Sequence, residues 1–264
     1  MTFSFKSIYY DCPIQSNRAL DIFIPENITQ KKSFFFVHGG GWRNGTRTVY
    51  HRIMEYLNNL GFICASVDYN LRAKNALEQI ADLRDGYNIY LKELANLGIN
   101  KPEIIVMGSS AGAHLGLLFT LTTPGQLGET ASQEVINNFV SPAMGVFQAT
   151  PTYFAPWEDI FPGIEVSMKD IAGVSYEENP QMYETLSPIN FVGENSCPIF
   201  LLHASDEHMF PIWHALDFQK KMEKFNKVCQ VKTYTPAEHG FVYDITRRVQ
   251  KEAMADILEF IKEK

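Results

Sequence analysis

Residues 108–112, Gly108-Ser109-Ser110-Ala111-Gly112, set a serine between two glycines in a G-x-S-x-G pentapeptide. Alone the pentapeptide is unspecific, since at average Gly and Ser usage about one chain in twenty of this length carries one. Its setting is more telling. The apolar run Ile104-Ile105-Val106-Met107 precedes it and the apolar stretch from His114 to Leu121 follows it, the strand–turn–helix context of a nucleophile elbow. In that context the glycines let two backbones approach, and a helix N-terminus offers N–H groups to developing negative charge. The spacing singles out Ser110 rather than Ser109. About 70 residues upstream, His38-Gly39-Gly40-Gly41-Trp42 closes a second apolar run, Phe34 to Val37. Consecutive glycines can aim backbone N–H groups at a ligand with no side chain in the way. Acyl transfer needs a nucleophile and an oxyanion hole together, and the hole expected here uses the N–H groups of Gly40, Gly41 and Ala111.

A serine hydroxyl is a poor nucleophile at neutral pH and needs a base, itself oriented by an acid. Of seven histidines, His239 is best placed, in the loop Pro236-Ala237-Glu238-His239-Gly240-Phe241 between the last strand pattern and a helical stretch. His38, His114 and His203 read as structural or hydrogen-bonding groups. The acid is expected after the penultimate strand, where His203-Ala204-Ser205-Asp206-Glu207-His208-Met209-Phe210-Pro211 offers two adjacent carboxylates. Residue type favours Asp206, with Glu207 as the alternative. The histidines and carboxylates lie on separate loops without a spacing such as HExxH, so neither a metal nor a cofactor is expected.

These loops need a frame. Short β-rich runs alternate with helical patterns along the chain, which predicts an α/β class with a mostly parallel sheet covered by helices on both faces. Strands are expected over Leu20 to Ile24, Phe34 to Val37, Phe62 to Val67, Ile104 to Met107, Gly145 to Ala149, Ile199 to Leu202 and Gln230 to Tyr234. Ile53, Tyr56, Leu57 and Leu60 recur at helical spacing before Gly61. A longer stripe from Leu77 to Leu94 ends near Gly98, His114 to Leu121 predicts a buried helix, and Lys251 to Glu263 a final one. Residues 124–143 and 151–195 exceed a minimal βαβ rhythm. The second is aromatic (Tyr153, Phe154, Trp157, Phe161, Tyr176, Tyr183) and follows a strand at the edge where ligands bind, which predicts a lid or cap.

Composition limits the alternatives. A chain of 264 residues, 45% hydrophobic and 20% charged, buries a large core and is not disordered. A net charge of −7 opposes nucleic-acid binding and attachment to anionic membrane surfaces. No run approaches the roughly 18 apolar residues of a membrane span. The opening Met1 to Lys6 lacks the pattern of a signal peptide, and Cys12, Cys64, Cys197 and Cys229 are scattered without a CxxC pair, so reduced thiols in the cytoplasm are expected.

The chain resembles α/β hydrolases of the esterase/lipase group that includes hormone-sensitive-lipase-like and feruloyl-esterase-like carboxylesterases and kynurenine formamidases. The resemblance rests on the HGGGW and GxSAG pair, and is supported by Leu20-Asp21-Ile22-Phe23-Ile24-Pro25, Val67-Asp68-Tyr69-Asn70-Leu71 and the His239 loop. It departs at Asn70, where the group often has Arg, and at Ala113, where it often has Gly. It implies a single α/β-hydrolase domain over residues 1–264, with a twisted sheet of about eight strands flanked by helices and the two long segments as cap insertions. It also implies a serine hydrolase acting through an acyl-enzyme on small or medium carboxylic esters, acetyl or feruloyl sugar esters among them, with Ser110, Asp206 and His239 in that chain order. The group's acid loop commonly reads H-G-x-x-D-x-x-V-P. Counting from His203 to Pro211 without gaps puts Glu207 on the acid position, yet Asp is the commoner residue there. An arylformamidase or an acyltransferase would use the same triad. A binding protein that keeps the fold without catalysis is the alternative from outside enzymes, and a homodimer is left open.

Overall fold

The computed structural model describes residues 5–10 and 18–263. Eight strands form one sheet: β1 (Phe5–Tyr9), β2 (Ala19–Phe23), β3 (Lys32–Val37), β4 (Cys64–Val67), β5 (Glu103–Ser109), β6 (Met144–Gln148), β7 (Ile199–Asp206) and β8 (Cys229–Glu238). Their order is β1-β2-β4-β3-β5-β6-β7-β8. β1 and β2 pair antiparallel, β2 joins β4 antiparallel, and the remaining pairs are parallel. The helices are α1 (His51–Asn59), α2 (Ala76–Asn96), α3 (Ala111–Leu121), α4 (Gln133–Asn138), α5 (Pro162–Ala172), α6 (Pro180–Thr185), α7 (Trp213–Lys224) and α8 (Arg248–Glu263).

Strand alternation divides the core in two. Phe35 and Val37 of β3 and Ile104 and Val106 of β5 face the helices α2, α3 and α7, whereas Phe34, Phe36, Ile105 and Met107 face α1 and α8. Both faces being covered explains why these strands read as continuous apolar runs. Helix α3 is buried from Ala111 to Thr120, as its all-round apolar sequence predicts. The α1 stripe is shifted: Ile53, Met54 and Leu57 are buried, while Tyr56 and Leu60 stay exposed. The sequence pattern does not predict the edge strand β1, whose residues are largely exposed with no apolar alternation to announce them. Strands β7 and β8 run longer than expected, because their pairing continues through a register shift between Ala204 and Asp206 to the pair Asp206–Glu238.

Residues 124–143 hold α4, and 151–195 hold α5, α6 and a 3₁₀ turn over Pro188–Phe191. Phe154 and Tyr183 join the core, Tyr153 and Trp157 are half-buried, and Phe161 and Tyr176 are exposed. Cys64, Cys197 and Cys229 are free thiols; Cys12 lies outside the described residues. Among the described residues no helix is long and apolar enough to cross a membrane, and no group of three or more His, Cys, Asp or Glu could hold a metal ion.

Candidate active site

Parallel strands put their C-terminal ends on one edge, and the loops that leave β3, β5, β7 and β8 there carry His38–Gly41, Ser110, Glu207 and His239. At the end of β5, Ser110 has φ 57° and ψ −124°, a region costly for any residue with a Cβ. The turn is held by its neighbours. Ser110 N–H donates to the Gln148 carbonyl at 2.9 Å, and the Ser109 hydroxyl donates to Gln148 Oε1 at 2.5 Å. A Cβ on Gly112 would collide with the carbonyls of Val37 and His38, so only glycine lets α3 begin this close to β3. Ala111, Gly112 and Ala113 open α3, where first-turn N–H groups have no intrahelical acceptor.

The glycine loop is fixed by its carbonyls. Gly39 C=O accepts from His38 Nδ1 at 2.8 Å, and Gly40 C=O accepts from Asn44 N–H at 2.9 Å and Arg43 N–H at 3.2 Å. In a trans peptide N–H points opposite to C=O, so these bonds turn the N–H groups of Gly40 and Gly41 the other way. Gly40, at φ 118°, adopts a conformation closed to other residues. Beyond it, the Trp42 carbonyl accepts from Gln79 Nε2 at 2.8 Å and Trp42 Nε1 donates to His114 Nδ1 at 3.2 Å.

The carboxylate that meets His239 is Glu207, not Asp206. His239 Nδ1 lies 2.9 Å from Glu207 Oε1 and 2.8 Å from Oε2. Glu207 Oε1 also accepts from Met209 N–H at 2.9 Å and Phe210 N–H at 3.4 Å. Asp206 ends β7 opposite Glu238, is exposed, and lines a separate cavity of 540 Å³ with Thr235, Glu238, Arg247 and Glu252. Asp206 is held in the strand by its pairing with Glu238, whereas Glu207 is the first residue beyond β7 and turns to His239. Burial alone would raise the Glu207 carboxyl, but the His239 hydrogen bond and charge and the two amides outweigh it, holding the group below its ordinary value. It is a carboxylate at neutral pH. Accepting from Nδ1–H, it leaves His239 Nε2 as the basic nitrogen.

Two other histidines are locked neutral. His114 accepts at Nδ1 from Trp42 and donates from Nε2 to the Leu186 carbonyl at 2.7 Å, and burial pushes it down to about 4. His214 accepts at Nδ1 from the amides of Thr152 at 3.2 Å and Tyr153 at 3.3 Å, and burial pushes it down to about 3. Its ring stacks on Trp213 at 4.1 Å and meets Trp157 edge-on at 4.8 Å, while Phe210 sits 6.1 Å from His214 and 6.1 Å from His239. No sequence pattern marks His214, because its partners are backbone amides 61 and 62 residues away. In both cases the folded value lies below the unfolded 6.5. Protons therefore bind the unfolded chain first as pH falls, and the stability these two histidines contribute is present above about 6.5 and lost progressively below it. Removing one such histidine in His214→Phe should lower the slope of unfolding free energy against pH by about 1.4 kcal/mol per unit between pH about 6 and 4. Urea titrations of both proteins across that range measure it, and equal slopes would contradict a buried neutral His214.

The BD-FAE family model matches residues 20–222, and the chain belongs to that family. The esterase LipQ of Mycobacterium tuberculosis is 26% identical over 232 residues, 85% of this chain and 54% of that protein. An acetylxylan esterase of Xylanibacter ruminicola is 21% identical over 243 residues, 91% of this chain and 47% of that protein. The chain thus spans about half the length of these curated relatives. Esterase 2 of the planctomycete Thermogutta terrifontis, solved with butyrate bound, superposes with a TM-score of 0.79 at 19% identity, covering 98% of this chain and 94% of that one. The same esterase phosphonylated by sarin gives 0.81 at 18% identity, with the same coverage. The fold is that of an α/β hydrolase.

Proposed function

We propose that this member of the BD-FAE family is a serine carboxylesterase acting on small or medium carboxylic esters. The observation that carries the reading is the Glu207–His239 pair, formed by the loops after β7 and β8 on the sheet edge where Ser110 occupies the elbow after β5. Ser110 Oγ attacks the ester carbonyl carbon as His239 Nε2 takes its proton, and Glu207 holds the imidazolium by Nδ1–H. The carbonyl oxygen becomes an oxyanion, received by the N–H groups of Ala111, Gly40 and Gly41, each such donor being worth about 3–4 kcal/mol of barrier. His239 passes the proton to the leaving alkoxide oxygen, the C–O bond breaks, and an acyl-serine remains. Water, deprotonated by His239, attacks that acyl carbon, and its collapse returns the proton to Ser110 and releases the acid.

Short acyl groups are supported by the acetylxylan esterase among the relatives and by butyrate in the superposable esterase. Residues 151–195 act as the cap, with Tyr153 and Trp157 beside the His214 cluster that adjoins His239. Among the described residues the free thiols Cys64, Cys197 and Cys229 fit a reducing, cytoplasmic setting. A turnover panel of p-nitrophenyl esters of rising chain length, acetylated sugars, feruloyl esters and N-formylkynurenine tests the reading. The expected result is highest kcat/KM on acetyl to butyryl esters. Turnover of N-formylkynurenine alone would replace it with an arylformamidase, and turnover of none would end it.

A further inference from the structure

Tyr243 takes no part in the steps above, yet its hydroxyl sits where three of the loops meet. Gly39 N–H donates to Tyr243 Oη at 3.1 Å, and Tyr243 O–H donates to the Ser109 carbonyl at 3.4 Å. The first bond reaches the residue before Gly40, and the second the residue before Ser110. Tyr243 itself lies four positions after His239, at the end of the 3₁₀ turn Phe241–Tyr243. The fit is close, since a Cβ on Gly39 would collide with Tyr243 Oη and with the Ser109 carbonyl. Burial raises the phenol above its ordinary value, so it stays protonated and keeps its donor across the working pH range. From below, its ring is backed by Tyr50 at 5.3 Å and the Gly240 turn.

We propose that Tyr243 is a positioning residue whose single hydroxyl sets the spacing between the oxyanion loop and the nucleophile elbow. The Ser109 carbonyl and the Gly39 amide belong to the peptides next to those that carry the reacting groups, so both are oriented by one oxygen anchored in the histidine loop. In its kinetic part the proposal rests on the esterase reading; in its structural part it does not. An oxyanion hole works only while its donors stay aimed at the charge that develops, and loss of aim appears in the chemical step rather than in substrate binding.

Tyr243→Phe removes the hydroxyl and keeps the ring. The expected result on a p-nitrophenyl ester is a fall in kcat of about tenfold with KM within about twofold, and an equal fall in the rate of fluorophosphonate labelling, with labelling still reaching one group per chain. Amide hydrogen exchange over residues 38–45 and 108–112 should speed up about tenfold or more in the same variant, while α8 exchanges as in the wild type. A kcat within about twofold of wild type, or unchanged exchange in those two segments, overturns the proposal. Should the wild type hydrolyse nothing, the esterase reading falls and exchange alone decides on Tyr243. Should Tyr243→Phe not fold, the wild type decides: its Gly39 amide must exchange about 100-fold more slowly than that of Gly41, and equal rates overturn the proposal.

Discussion

Ser110→Ala should lose ester turnover by about 10⁴–10⁶ in kcat and should no longer be labelled by a fluorophosphonate. The substitution deletes one oxygen and retains the Cβ, so the strained backbone at φ 57° and its bond to the Gln148 carbonyl persist. Thermal stability should therefore change little, since no buried apolar volume is lost. KM should also hold, because substrate contacts other than the attacking oxygen remain. Intact-mass spectrometry after probe treatment and steady-state kinetics on the same preparation provide the measurements. Labelling that survives in Ser110→Ala would move the nucleophile elsewhere. Ser109 offers little in that role, being buried with its hydroxyl donated to Gln148.

Both the elbow and the glycine loop are legible in sequence for the same reason: each is a short backbone device written in consecutive residues. Gly39, Gly40, Gly108 and Gly112 stand where close approach leaves no room for a Cβ, and the flanking apolar runs give the strand and helix that aim them. His239 is legible from its place after the last strand. What escapes is decided by contacts distant in sequence or by one residue of register. Strand β1 pairs with β2 at an exposed edge and so carries no buried face to read. Tyr243 meets Ser109 across 134 positions and Gly39 across 204, and His214 meets amides of the 151–195 segment. Nothing local distinguishes such residues from ordinary core aromatics. The six rings between 153 and 183 divide in the same way: Phe154 stacks on His114 at 4.5 Å within the core, whereas Phe161 stays in solvent.

The choice between Asp206 and Glu207 is the clearest case of register deciding chemistry. Residue type points to the aspartate, whereas the uninterrupted count from His203 to Pro211 points to the glutamate, and strand β7 runs on through Asp206 so that only Glu207 turns toward His239. Glu207→Gln keeps the shape of the side chain but replaces an acceptor-only carboxylate with an amide whose NH₂ favours the wrong imidazole tautomer. It also removes the negative charge that stabilises the imidazolium, and kcat should fall by about 10³–10⁴. Glu207→Asp retains the charge one methylene short of His239, so it should lose less than Glu207→Gln. Asp206→Asn, in an exposed residue facing the cavity beside Arg247, should leave kcat within about twofold of wild type. Paired kinetics on the two amide variants decide between the carboxylates, since each predicts the other's opposite. A large loss in Asp206→Asn with Glu207→Gln near wild type would mean that the working enzyme reverses the strand end seen here, and with it the register of β7 against β8.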